Sequence, residues 1–185
     1  MVAQARQLLS DDHDRVDEIL KQLLTALDNR DVRTSYSRLD LFWARLAVHI
    51  RAEHLHLFPI VTSRLSDLPD SVVPDLSEVQ AMIETLRADH DFFMRELARA
   101  IAVCRELPPN IIQAVDEAKF DAIHNTVCEV EKRLATHNDI EEDQIYRWSS
   151  TILTESEQFE LLSRINAELE NRPPRFSEQA WANCL

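Results

Sequence analysis

The chain has 185 residues, a formal net charge of −13 and no glycine. This acidic balance argues against a nucleic-acid partner, which needs clustered Lys and Arg, and the missing glycine excludes phosphate-cradling loops and Rossmann turns. No run approaches the roughly 18 to 20 apolar residues of a membrane span, there is no signal-peptide core, and Cys104, Cys128 and Cys184 are scattered without a Cys-x-x-Cys pair. The expectation is a cytoplasmic chain of long helices, monomeric or homodimeric, with neither a membrane nor a nucleic acid as partner.

Residues 3–29 read as the first helix, because Leu9, His13, Val16, Leu20, Leu23, Leu24 and Leu27 recur at spacings of three and four. One histidine is set into that apolar stripe. Asn29-Arg30-Asp31 reads as the turn, with Asn29 where glycine usually stands past a helix C-terminus. The second helix starts between Asp31 and Ser35 and runs to about Ser66, on a stripe of Leu39, Phe42, Leu46, His49, Glu53 and His56. Pro59 should kink or end its regular ladder, and Leu68 to Pro74 reads as a linker. The third helix, residues 76–106, has the clearest stripe, from Val79 to Cys104, with His90 inside it; Pro108-Pro109 stops it. The fourth carries Ile123, Val127, Val130, Leu134, His137, Ile140, Glu141, Gln144 and Trp148. Thr154-Glu155-Ser156-Glu157 is a capping box opening a short fifth helix to about Glu170, and Phe176 and Trp181 are the docking candidates of the tail beyond it.

Level pairing of His13 with His49 centres the first hairpin on Asp31, where the turn is read independently. Level pairing of His90 with His137 centres the second between residues 113 and 114. Residues from about 108 to 117 should then be a longer connection, with regular helix starting near Asp116 to Asp121. The expected fold is all-α: an antiparallel up-down four-helix bundle with a short fifth C-terminal helix over residues 1–170, then a tail over 171–185.

His49 and Glu53 lie four residues apart, hence about 40° apart on one helix face. His137 and Glu141 repeat the arrangement, and the two copies continue alike into Leu57-Phe58 and Ile145-Tyr146. Glu53 and Glu141 fall where their stripes call for leucine. A buried carboxylate without a partner takes up a proton instead, and Arg133 is the one nearby cation on these stripes. A metal cation between the helices resolves both carboxylates together with His13, His49, His90 and His137. On an ideal helix His56 lies about −20° from His49 and points to the same interior, as a fifth ligand, an outer donor, a proton relay or the lining of a polar pocket mouth. His54, at about 140°, should face away, and His124 should lie at the surface or between helices.

Taken as a set, Asp12-His13-Asp14, His49 and Glu53 with the Leu57-Phe58-Pro59 tail, Asp89-His90-Asp91, and His137 with Glu141 resemble the hemerythrin-like (HHE cation-binding) family over about residues 9–150. The resemblance implies a non-haem di-iron centre. His13 and His49 would serve one iron and His90 and His137 the other, with Glu53 and Glu141 bridging. Positions would remain for an oxo or hydroxo bridge and for a small molecule such as O2, NO or peroxide. Manganese or zinc suits the same donors. Asp12, Asp14, Asp89 and Asp91 are the nearby groups that could orient the imidazoles.

Two departures narrow the resemblance. The oxygen carriers of the family have a second histidine one turn on in the third helix, where this chain has Met94, and an aspartate five residues after the last histidine, where it has Glu142. The four-histidine, two-glutamate set is more similar to the iron–sulfur-cluster repair branch. The sequence opens directly on helix 1 without that branch's small cysteine-bearing module, so the repair reaction itself is not expected. Met94, Glu142 and His56 are candidates to stand behind the ligands. Three readings stay open: a redox centre that reacts with O2, NO or peroxide; a module that stores, carries or senses O2 or iron; and a bundle with a structural zinc.

Overall fold

A computed structural model describes residues 5–67, 76–176 and 181. Those residues are helical with no strand among them. The elements are α1 (Ala5–Asp28), α2 (Val32–Ala52), a π-helical turn (Glu53–Leu57), α3 (Phe58–Asp67), α4 (Leu76–Glu106), α5 (Ala114–Ile140), a second π-helical turn (Glu141–Ile145), α6 (Tyr146–Ile152) and α7 (Glu155–Leu169). The linker expected at 68–74 lies outside the described residues.

The apolar stripes explain which faces turn inward. On α1 the buried set includes Leu9, His13, Val16, Leu20, Leu23 and Leu27, and on α4 it includes Val79, Ile83, Leu86, His90, Phe93, Leu97, Ile101 and Cys104. Each fully buried Leu or Phe contributes about 1.5–3 kcal/mol relative to exposure, so the stripes, more than intrinsic helix propensity, hold these helices. α1 packs on α2, α2 on α4, α4 on α5, and α5 back on α1, while α7 lies against α1 and α2 and α3 touches α4 and α6. The four histidine-bearing segments thus close a cycle around one interior.

The turn between α1 and α2 corrects one expectation. The left-handed residue is Arg30, at φ 53°, not Asn29. Arg30 N–H donates to Leu27 C=O and Asp31 N–H to Ala26 C=O, the paired bonds that end a helix with its left-handed residue one place beyond Asn29. Arginine pays about 1–2 kcal/mol there, offset by its side chain, which meets Asp121 at 2.7 Å and lies over the Phe120 ring. Asp31 then caps α2 by accepting from Thr34 N–H.

The second connection is shorter than expected, residues 107–113, and α5 starts at Ala114 rather than between Asp116 and Asp121. The histidines are level all the same. Ring centroids are 4.6 Å apart for His13 and His49 and 4.5 Å for His90 and His137. His137 lies deeper into α5 than His90 lies from the end of α4, so the connection climbs the difference and leaves Ile112 and Val115 exposed. The capping box at Thr154 and Glu157 forms as read and opens α7. Trp181 is buried, its indole N–H donating to the Leu169 carbonyl that ends α7.

Candidate metal centre

Each long helix delivers one imidazole to the interior, and all four Nε2 atoms converge. His13 Nε2 is 3.1 Å from His49 Nε2. Between this pair and the His90/His137 pair stand two carboxylates with no solvent exposure, Glu53 and Glu141. Glu53 turns Oε1 to His49 Nε2 at 3.4 Å and Oε2 to His90 Nε2 at 3.4 Å. Glu141 turns Oε2 to His13 Nε2 at 3.4 Å and Oε1 to His137 Nε2 at 3.2 Å. Each carboxylate therefore spans the two histidine pairs. Donor atoms of His13, His49, Glu53 and Glu141 lie within 4.8 Å of one another, as do those of His90, His137 and Glu141.

The outward nitrogens are held too. His49 Nδ1 meets Asp12 at 2.9 Å, His137 Nδ1 meets Asp89 at 3.2 Å, His13 Nδ1 meets Glu142 at 2.8 Å, and His90 Nδ1 meets His54 Nε2 at 2.9 Å. An Nδ1–H donated outward leaves the Nε2 lone pair facing in, the tautomer that a metal requires. Behind the aspartates stand two guanidiniums: Arg45 bonds Asp12, and Arg133 bonds Asp89 at 2.6 Å. Asp14 and Asp91, the other two candidates for this role, are exposed.

A family model, the hemerythrin HHE cation-binding domain, matches residues 4–149. The chain belongs to the hemerythrin HHE family. Comparison with curated proteins and with solved structures found no match.

Whether this hemerythrin-like site fits a cation is tested by its orphaned atoms. Among the described residues, Glu53 Oε2 and Glu141 Oε1 are buried with no hydrogen-bond partner. Those are the two oxygens turned toward His90 and His137, and a cation there would satisfy both. The electrostatics of the bare protein agree. Burial, then the charge of Glu141, pushes the Glu53 carboxyl up, whereas Glu141, against its own burial, is held well below the usual range by His137 and His13. The two share a pocket that accommodates one negative charge more easily than two. His49 resists its burial and is raised to about 10 by Glu53 and Asp12; His13, likewise against burial, is raised by Glu141 and Glu142. His90 is the exception, driven well below its ordinary value by burial.

The π turns correct the placement of the next histidines. His54, expected to face away, touches His90; His56, expected to point inward, faces Glu168 at 3.8 Å and is partly exposed. In each π turn the bond runs from residue i+5 to i, as from Phe58 N–H to Glu53 C=O and from Tyr146 N–H to Glu141 C=O. One extra residue per turn retards everything beyond it by about 100°. That carries His54 from about 140° to about 40° relative to His49, and His56 from about −20° to about −120°. In the fourth helical segment the same slip moves the buried stripe off Gln144 and Trp148 and onto Ile145, Tyr146 and Ser149. Pro59 is not the cause, since the second copy has Arg147 at that offset; α3 continues through Pro59 in its first turn, where proline is tolerated.

Glu142 meets the outward nitrogen of His13. Met94 packs against the core, its carbonyl accepting from the Trp43 indole. Two residues of the site were missed in the sequence reading. Arg45 was signalled by a repeat, Arg45-Leu46-Ala47-Val48-His49 against Arg133-Leu134-Ala135-Thr136-His137. Tyr146, wholly buried, places its hydroxyl 2.5 Å from Glu53 and 3.0 Å from His13 Nε2. On an ideal helix it would lie about 180° from His137.

Proposed function

We propose that this hemerythrin-like protein is a non-haem di-iron protein that binds or reacts with a small ligand such as O2, NO or peroxide. His13 and His49 would hold one iron and His90 and His137 the other, with Glu53 and Glu141 shared between them. One observation carries the reading: two fully buried carboxylates each turn one oxygen to each histidine pair, and two of those oxygens have no hydrogen-bond partner. The same reading takes residues 1–170 as one antiparallel up-down four-helix unit with a tail over 171–185, supported by the closed cycle of helix contacts, and places it in the cytoplasm.

Iron bound there would supply one-electron redox chemistry toward the small ligand. The chain's own part is orientation, charge and exclusion of water. Asp12, Asp89, Glu142 and His54 fix the imidazole tautomers, Glu53 and Glu141 provide countercharge, and the buried rings of Phe58 and Tyr146 close the site. Purified protein loaded with iron should hold about two iron per chain. It should lose that iron, with a fall in melting temperature, in His49→Ala, because a ligand bound only by the native state adds stability. One zinc per chain, or no metal after growth with iron, contradicts the reading.

A further inference from the structure

Phe58 and Tyr146 occupy the same place in the two halves of the repeat, nine residues after His49 and His137. Both are wholly buried, and they differ in one atom. The Phe58 ring lies nearly parallel to His90, centroids 6.1 Å apart, and offers no donor. The Tyr146 hydroxyl oxygen is 2.5 Å from Glu53 Oε1, 3.0 Å from His13 Nε2, 3.3 Å from His49 Nε2 and 3.3 Å from Glu141 Oε2. All four neighbours are the atoms that turn toward the His13/His49 side.

A phenol hydroxyl donates once and accepts at most twice, three hydrogen bonds in all. Four potential ligand atoms within 3.3 Å of one phenol oxygen exceed that number. This is the arrangement expected of donors that share one cation. We infer that Tyr146 is itself a metal ligand, its phenolate oxygen joining His13, His49, Glu53 and Glu141 on one metal and leaving the His90/His137 metal, beneath Phe58, as the one that takes up the small ligand. The inference rests on the di-iron reading above. On loading, the phenol O–H bond breaks, the oxygen keeps the electron pair for the metal, and the proton leaves to solvent, as metal ligands generally shed protons on binding.

The test is spectroscopic. Ferric-loaded protein should show a visible phenolate-to-iron charge-transfer band, and resonance Raman excitation within it should enhance tyrosine ring modes that shift when the protein is grown on ring-deuterated tyrosine. Tyr146→Phe should abolish the band and those modes in the iron that it binds. If Tyr146→Phe does not fold, the isotope shift in the unsubstituted protein decides alone. Iron bound without tyrosine modes overturns the inference and leaves Tyr146 as a hydrogen-bond donor to Glu53, with the di-iron reading intact. A protein that takes up no iron overturns both.

Discussion

Around His13 and His49 the outward nitrogens meet two carboxylates, Glu142 and Asp12, and Asp12 is locked to an Arg45 side chain only 4 % exposed. Around His90 and His137 they meet a neutral imidazole, His54, and Asp89, whose guanidinium partner Arg133 is 43 % exposed. The sequence pattern is the same in both halves, down to the Asp-His pair and the Arg-Leu-Ala-x-His run. What differs is the residue just after each glutamate, His54 against Glu142, and the aromatic at the end of each π turn, Phe58 against Tyr146. One repeat thus yields a more anionic half backed by a buried arginine and a less charged half backed by an exposed one. One imidazole shows the difference: burial drives His90 down, whereas His13, His49 and His137 are raised by acidic neighbours against the pull of burial.

The comparison breaks most completely at the residues the halves share. Glu141→Ala should empty both halves together, taking iron content from about two per chain to near none; loss of one metal alone, by iron analysis, would mean that Glu141 serves only one of them. Next in size is the pair of aspartates. Asp12→Asn strands a buried guanidinium and should cost the cation-free protein about 3–5 kcal/mol. Asp89→Asn frees an arginine that can turn to water and should cost about 0–1 kcal/mol. Urea unfolding of the two variants side by side measures the difference, and equal losses would erase the asymmetry.

A pH effect follows from His49, raised from 6.5 to about 10, with Glu53 and Asp12 prevailing over burial. The folded chain keeps a proton that the unfolded chain has lost between those values. Its contribution to stability is therefore full below about pH 6.5 and disappears as pH rises through about 10. Melting curves of the cation-free protein should fall across that window, and fall less in His49→Gln, where His13 and His137 still contribute. Smallest are the changes at the displaced histidines. His54→Ala removes the partner of His90 and should weaken metal binding by about 10–100-fold. His56→Ala, two residues further on, should leave affinity unchanged and shift stability by no more than about 0.5 kcal/mol. The opposite ranking in a metal titration would restore an unbroken α-helix at Glu53.

Much of this was legible in the sequence for a physical reason. Leucine spacing on α1 and α4 reports which face avoids water, and a glutamate in such a stripe reports an unmet charge, so His13, His49, Glu53, His90, His137 and Glu141 could be singled out before any coordinates. The turn read at Asn29 to Asp31 agrees with the level pairing of His13 and His49. What stayed hidden lies beyond the two glutamates. A π turn keeps nearly α-helical dihedrals and has no residue signature of its own, so an ideal wheel misplaces His54, His56 and Tyr146 by about 100°. Arg30 was hidden differently: hydrogen bonds to Ala26 and Leu27 set where α1 stops, and they override the preference that favoured Asn29.

The central claim is that two cations sit in one shared carboxylate pair but in unlike halves. Mössbauer spectroscopy of the iron-loaded protein addresses it directly. Two quadrupole doublets of equal area are the predicted result, one from the iron of His13 and His49 and one from the iron of His90 and His137. A single doublet, or an iron content of about one per chain, would contradict it.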